Sequence, residues 1–259
     1  MAEQGSIAGS SNKQVQYLCL LVAIACGCGP SANSAKHDDP KRDIEFANLV
    51  ECLASKNEEP QITQGPFSSK VLLAPSFDKA EQQRVYECYK ALLDGEAKSF
   101  SALITHLNDP RYCQTGLGFG EESVFRNYSV GVVCRFALQL QLDAPYLEHI
   151  HVYGLRDYFH RFSYVDNIVG DADKARLWAD RHRGNTLAEI QCEAIEWFLS
   201  AIPRFGEIGP TAEEAAEVKS LLQTIRKTSI PVRIRDSTMK PRYKPIYEDR
   251  ETPGESRVP

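Results

Sequence analysis

The sequence predicts a mainly helical, all-α domain of stacked hairpins, on three observations. From Phe77 onward, apolar residues recur three and four positions apart, the spacing that places them on one face of a helix. Helix-opening pairs stand ahead of these stretches: Asp78 with Glu81, Thr186 with Glu189 and Thr211 with Glu214. Stop signals close them, at Asp94-Gly95, at Asn108-Asp109-Pro110 and near Gly184.

Before this domain the chain carries an uncharged apolar run, Tyr17 to Cys28, preceded by Lys13. It falls short of the roughly 20 residues that a helix needs to span a bilayer, and it has the length of the apolar region of an export signal. Within it, Ala23-Ile24-Ala25-Cys26 resembles a bacterial lipobox, with Ala23 where leucine is usual. The resemblance implies a lipid on Cys26 and attachment to a membrane surface. Residues 1–28 are therefore expected to be a leader, and the small polar residues 29–39 a flexible tether.

The helical domain is expected over residues 40–228. Asp39-Pro40 reads as a helix start, followed by Ile44, Ala47, Val50 and Leu53 at helical spacing. Val71 to Ala74 is either a short strand or a non-helical core contact. Val85, Cys88, Tyr89, Leu92 and Leu93 line the face of one helix, and Phe100, Leu103, Ile104 and Leu107 line the next. The short link between them predicts an antiparallel helical hairpin. A glycine-bearing loop follows from Arg111 to about Arg126. Ser129 then opens a helix with Val130, Val133, Cys134, Ala137 and Leu138 on its inner face. Asp171 opens a charged helix containing Leu177 and Trp178. Two more helices bury Leu187, Ile190, Ala194, Ile195, Phe198 and Ile202, and Ala215, Val218, Leu221, Leu222 and Ile225. Residues 229–259 hold five prolines and little apolar content after Ile234, which predicts a disordered tail.

Val85 to Leu93 followed by Phe100 to Tyr112 resembles the helix-turn-helix unit of HEAT-like repeats. The same stretch, with Thr186 to Trp197, is similar to uncharacterised planctomycete-like exported lipoproteins with helical-hairpin domains. The resemblance covers about residues 78–202 and implies irregularly stacked hairpins without implying an activity. No strict internal period accompanies it.

Candidate chemistry is sparse. His149 and His151, two apart, would share a face on a strand, and with His160 they could hold a metal, with Glu148 and Asp157 as carboxylate ligands. No HExxH-type spacing supports this, and hydrogen-bonded histidines in an aromatic packing segment are the stronger reading. Gly116 to Gly120 lacks both the Walker lysine and the GxGxxG spacing. His106, Asp109, Arg111, Tyr112 and Cys113 could pair a thiol with a base, but they read better as a structural corner between helices. Tyr146, Tyr153, Tyr158, Phe159, Phe162 and Tyr164 interleave with Arg156 and Arg161, and this is where a recognition surface is expected, on Tyr153, Arg156, Tyr158, Phe159 and Arg161.

The net charge of −5 gives no excess of Lys and Arg to bind nucleic acid. None of the eight cysteines forms a CxxC pair. Cys88, Cys134 and Cys192 fall in helical patterns as packing residues, and a disulfide among the others is open if the chain is exported. The expectation is an exported protein of the cell envelope or periplasm, held at a membrane by its leader or lipid. It would bind or scaffold a protein partner, with no cofactor and no assigned reaction. The alternatives are a metal-dependent hydrolase built on His149 and His151, and a cytosolic helical interaction protein.

Overall fold

The computed structural model describes residues 40–64, 69–117, 125–150, 162–205 and 209–234. The expected leader and tether lie outside them, and no described helix is long and apolar enough to cross a membrane. The described chain is mainly helical, as its periodicity predicts.

Helix α1 spans Pro40–Glu51 and starts on a proline, whose missing N–H has no partner to lose in a first turn. Phe46, Ala47, Leu49 and Val50 turn inward, whereas Ile44 is exposed. A hairpin of β1 (Gln61–Gln64) and β2 (Ser69–Leu72) follows, with Ile62 opposite Val71. Helix α2 spans Lys79–Asp94, and its N-cap Asp78 accepts the Ala80 N–H. Glu81 does not close a capping box. Its carboxylate takes the Lys56 N–H and the Arg84 guanidinium instead, which ties α2 to the loop after α1. A 3-10 turn, Glu96–Ser99, leads into α3 (Phe100–Thr105).

The second hairpin, β3 (Tyr112–Leu117) and β4 (Phe125–Ser129), occupies the stretch expected to be a loop. Its strands are mostly polar and short, so hydrophobic periodicity misses them. The available signal was Tyr112 and Thr115 on one side of a glycine-rich turn and Phe125 and Tyr128 on the other. Ser129 then caps α4 (Val130–Leu142) by accepting the Val132 N–H, where the sequence places a helix start. After α5 (Ala144–Leu147) come α6 (Tyr164–Val169), α7 (Ala172–Arg181), α8 (Leu187–Phe205) and α9 (Ala212–Thr228). Thr186 with Glu189 and Thr211 with Glu214 both form reciprocal capping boxes.

Helices α4 and α8 form the centre. Val133, Cys134, Ala137 and Leu138 on α4 and Ile190, Ala194, Ile195 and Phe198 on α8 are essentially free of solvent. Each large apolar side chain among them contributes about 1.5–3 kcal/mol. Helix α9 covers α8 with Val218, Leu222 and Ile225. The expected α2–α3 hairpin is not the main pairing. Helix α3 lies on α1, α4 and α7, where Phe100 stacks on Trp178 with centroids 6.0 Å apart. A HEAT-like solenoid packs each repeat on its neighbours alone, whereas here segments distant in sequence share one core.

The segment after α9 also departs from expectation. Within residues 229–234, predicted to begin a disordered tail, Val232 packs against the core and Arg233 pairs with Glu96, while Ile230 stays exposed. Residues from 235 onward lie outside the described chain.

Candidate functional site

Three of the most deeply buried polar side chains, Asp143, Ser163 and Gln191, lie on or beside α4, α6 and α8. Asp143 ends α4 and is wholly buried. One carboxylate oxygen accepts the Tyr146 hydroxyl at 3.0 Å and the N–H groups of Tyr164 at 3.0 Å and Val165 at 3.2 Å. The other accepts the Ser163 hydroxyl at 2.5 Å. Burial pushes this carboxyl up to about 7, and the bonds from Ser163, Tyr146 and the Val165 N–H pull the other way. Ser163 in turn caps α6 by accepting the Asp166 N–H at 2.9 Å. Asp143 thus satisfies donors that the chain reversal into α6 would otherwise strand.

A second chain of bonds runs from α6 through α7 to α8. The Trp178 indole N–H donates to the Tyr164 hydroxyl at 2.8 Å, and that hydroxyl donates to Glu193. The other Glu193 oxygen lies 2.7 Å from His182 Nε2. His182 Nδ1 lies 2.7 Å from the Trp178 carbonyl, which can only accept, so this nitrogen carries a hydrogen. A proton on Nε2 would close an ion pair with Glu193. The His182 ring also stacks on Trp178 at 4.5 Å between centroids. Burial pushes the Glu193 carboxyl up, but the Tyr164 and His182 bonds outweigh it and hold it below its usual value.

The third element is Gln191, fully buried on α8. Its amide nitrogen donates to the Gln141 carbonyl and to the Val232 carbonyl, each at 2.8 Å. Its amide oxygen accepts the Val232 N–H at 2.9 Å. The side chain therefore pairs with both backbone groups of one residue, Val232. It reads backbone and is blind to the side chain of the residue it holds. Gln141 itself buries an amide whose oxygen and nitrogen have no partner among the described residues.

Little of the expected chemistry falls here. His149 stands after α5, with Nδ1 3.5 Å from the Glu217 carboxylate on α9. His151 and His160, the other expected metal ligands, lie outside the described residues. So do Tyr153, Arg156, Tyr158, Phe159, Arg161 and the lipidation candidate Cys26. Among the described residues no group of three or more His, Cys, Asp or Glu side chains could hold a metal. Of the aromatic stretch, Tyr146, Phe162 and Tyr164 are buried core residues.

The corner at His106 to Cys113 is structural, as its turn chemistry predicts. Arg111 forks onto Asp109 and reaches Glu51 at 2.7 Å, while His106 Nε2 lies 3.2 Å from Glu51. Cys113 is sealed in the core, and burial raises its thiol well above the usual value, which removes it as a nucleophile.

Sequence reasoning passed over Asp143, His182, Gln191 and Glu193. Gln191 left a readable trace: it falls on the stripe formed by Leu187, Ala194 and Phe198, a polar amide set among apolar neighbours. No known protein family, curated protein or solved structure matches this chain.

Proposed function

We propose that this chain is a membrane-tethered binding protein of the cell envelope whose helical domain captures extended polypeptide backbone at Gln191. The observation that carries the reading is the two-point bond between the Gln191 amide and both backbone groups of Val232. The chain's own segment 229–234 is then the resident occupant of a backbone-reading groove, and a partner's extended segment takes its place. The unspent amide of Gln141, whose carbonyl Gln191 holds, supports the reading, because a buried amide with neither end bonded is costly unless something else comes to it. The tether rests on the apolar run at residues 17–28 and on Cys26 alone.

A labelled peptide with the sequence of residues 229–234 tests the groove. Val232→Pro in the full chain removes the N–H that Gln191 holds, at a half-buried position beyond the last helix. The peptide is expected to bind this variant about 10-fold or more tighter than wild type, because the intramolecular competitor is weakened. Adding Gln191→Ala should abolish that gain. Equal binding to all three proteins, or none to any, would end the proposal. The tether has its own check, the intact mass of the protein from its native cell. Acyl chains on Cys26 support it, and an uncleaved, unmodified N-terminus rejects it.

A further inference from the structure

We propose that Cys52 and Cys88 form a redox site, closing to a disulfide that staples the end of α1 to the middle of α2. This goes beyond the binding reading and does not depend on it. Cys52 immediately follows α1, and Cys88 sits in the third turn of α2. Arg84, one turn before Cys88, holds the Cys52 carbonyl at 3.0 Å and so brings Cys52 beside this part of α2, where the two thiols influence each other electrostatically. Both residues are half-buried, whereas Cys113 and Cys134 are sealed in the core. An oxidant can therefore reach this pair but not Cys113 or Cys134; Cys192, on α8, is half-buried as well.

The surrounding backbone is already held for the bond. Arg84, one turn before Cys88 on the same face of α2, donates to the Cys52 carbonyl at 3.0 Å and to the Ala54 carbonyl at 3.3 Å. Glu81 fixes the same guanidinium through bonds of 2.8 and 2.7 Å. Arg84 thus clamps the chain around Cys52 against α2 whatever the state of the sulfurs. The Lys56 N–H bond to Glu81 and the paired bonds between Asn57 and Asp78 hold the following loop in place.

The chemistry balances with a disulfide-bearing oxidant, RSSR. Burial pushes the Cys88 thiol up to about 11, so Cys88 is the poorer first attacker and the opening step falls to Cys52. The Cys52 thiolate attacks one sulfur of RSSR, breaks its S–S bond and releases one RS⁻, which takes up the proton Cys52 gave to solvent. Cys88 then loses its proton and attacks the Cys52 sulfur of the mixed disulfide. The Cys52–Cys88 bond forms and the second RS⁻ leaves, again protonated by solvent. Two protein thiols are oxidised, one disulfide is reduced to two RSH, and both electrons end on the released thiols. An oxidising compartment would keep the staple closed and a reducing cytosol would keep it open, so its state reports where the protein resides.

Glutathione disulfide is the probe. The folded full-length protein is titrated with it, free thiols are blocked by alkylation, and peptides are mapped by mass. The expected result is the paired loss of two alkylation sites and a linked Cys52–Cys88 peptide lighter by two hydrogens. In Cys88→Ser the reaction should stop at glutathione on Cys52. Oxidised wild type should melt about 5 °C or more above its reduced form, a shift absent from Cys52→Ser. Separate glutathione adducts on Cys52 and Cys88, a link to any other cysteine, or unmodified Cys52 and Cys88 after full titration would overturn the proposal.

Discussion

Two polar networks in this molecule are built from the same kinds of side chain and do different work. At the corner between α1 and α4, Glu51, His106, Asp109 and Arg111 bond in a cluster around the half-exposed Arg111. At the centre, Asp143, Tyr146 and Ser163 bond where water does not reach, and Tyr164, Trp178, His182 and Glu193 continue the network outward. In the corner, Glu51 and Arg111 are about half-exposed and find water when they lose a partner, whereas the Asp109 carboxylate is only 10% exposed. At the centre water is not at hand, and loss of Asp143 strands the Ser163 hydroxyl and the Val165 N–H, while the Tyr146 hydroxyl still reaches the Phe162 carbonyl and the Tyr164 N–H the Tyr146 oxygen. The difference teaches that the number of polar bonds says little about a network's weight, and its setting says much.

Asp143→Ala should break the comparison most sharply. It leaves the Ser163 and Tyr146 hydroxyls and the Tyr164 and Val165 N–H groups without their common acceptor. A loss of about 3 kcal/mol in urea unfolding is expected, since each buried donor left without an acceptor costs about 1–3 kcal/mol. Asp143→Asn separates charge from shape. The folded carboxyl, raised to about 7, binds its proton more tightly than the unfolded one near 4. Its contribution is therefore full below about pH 4 and is lost as pH rises through about 7. Wild type should lose stability relative to Asp143→Asn by up to about 1.4 kcal/mol per pH unit across that window. Glu51, Glu81, Asp109 and Glu193 are held below their usual values and work in the opposite sense, losing their contributions as pH falls. A flat difference between wild type and Asp143→Asn would mean that the carboxyl is not neutralised by burial.

The sequence made the scaffold legible and most of the polar centre illegible, for one physical reason. Amphipathic spacing and capping pairs are local, so Ser129, Asp171, Thr186 and Thr211 could be placed from their immediate neighbours. Asp143 and Ser163 lie twenty positions apart, and nothing near either one marks the other as its partner. Glu193 meets His182 and Tyr164 only after three helices have packed. The short link between α2 and α3 does not force the two to pair. A turn through Glu96, with φ 51°, instead sends α3 toward α7. Histidine density points to His149, yet the histidine bonded through both ring nitrogens in the buried centre is His182, a lone residue at a helix end.

Two substitutions sort the corner's own contributions by size. The larger is Gly131→Ala. A Cβ there would lie 2.3 Å from the Leu107 carbonyl oxygen, a backbone atom that cannot swing aside, and the Gly131 N–H bonds the Asp109 carbonyl at 3.0 Å. Forcing α4 off this contact should lower stability by about 2–3 kcal/mol in urea unfolding, the scale of an overpacked core. The smaller is Arg111→Ala. It removes every charged bond that Arg111 makes to Glu51 and Asp109, yet the half-exposed Glu51 is rehydrated and Asp109 keeps the backbone N–H of residue 111, so the expected loss is under about 1 kcal/mol. Raising salt should shrink the Arg111→Ala effect and leave the Gly131→Ala effect unchanged, because ions screen charges and do not relieve a steric clash. An Arg111→Ala loss equal to that of Asp143→Ala would erase the distinction between the two networks. A loss that disappears in salt keeps it, and assigns the stability of the corner to the close approach of two backbones.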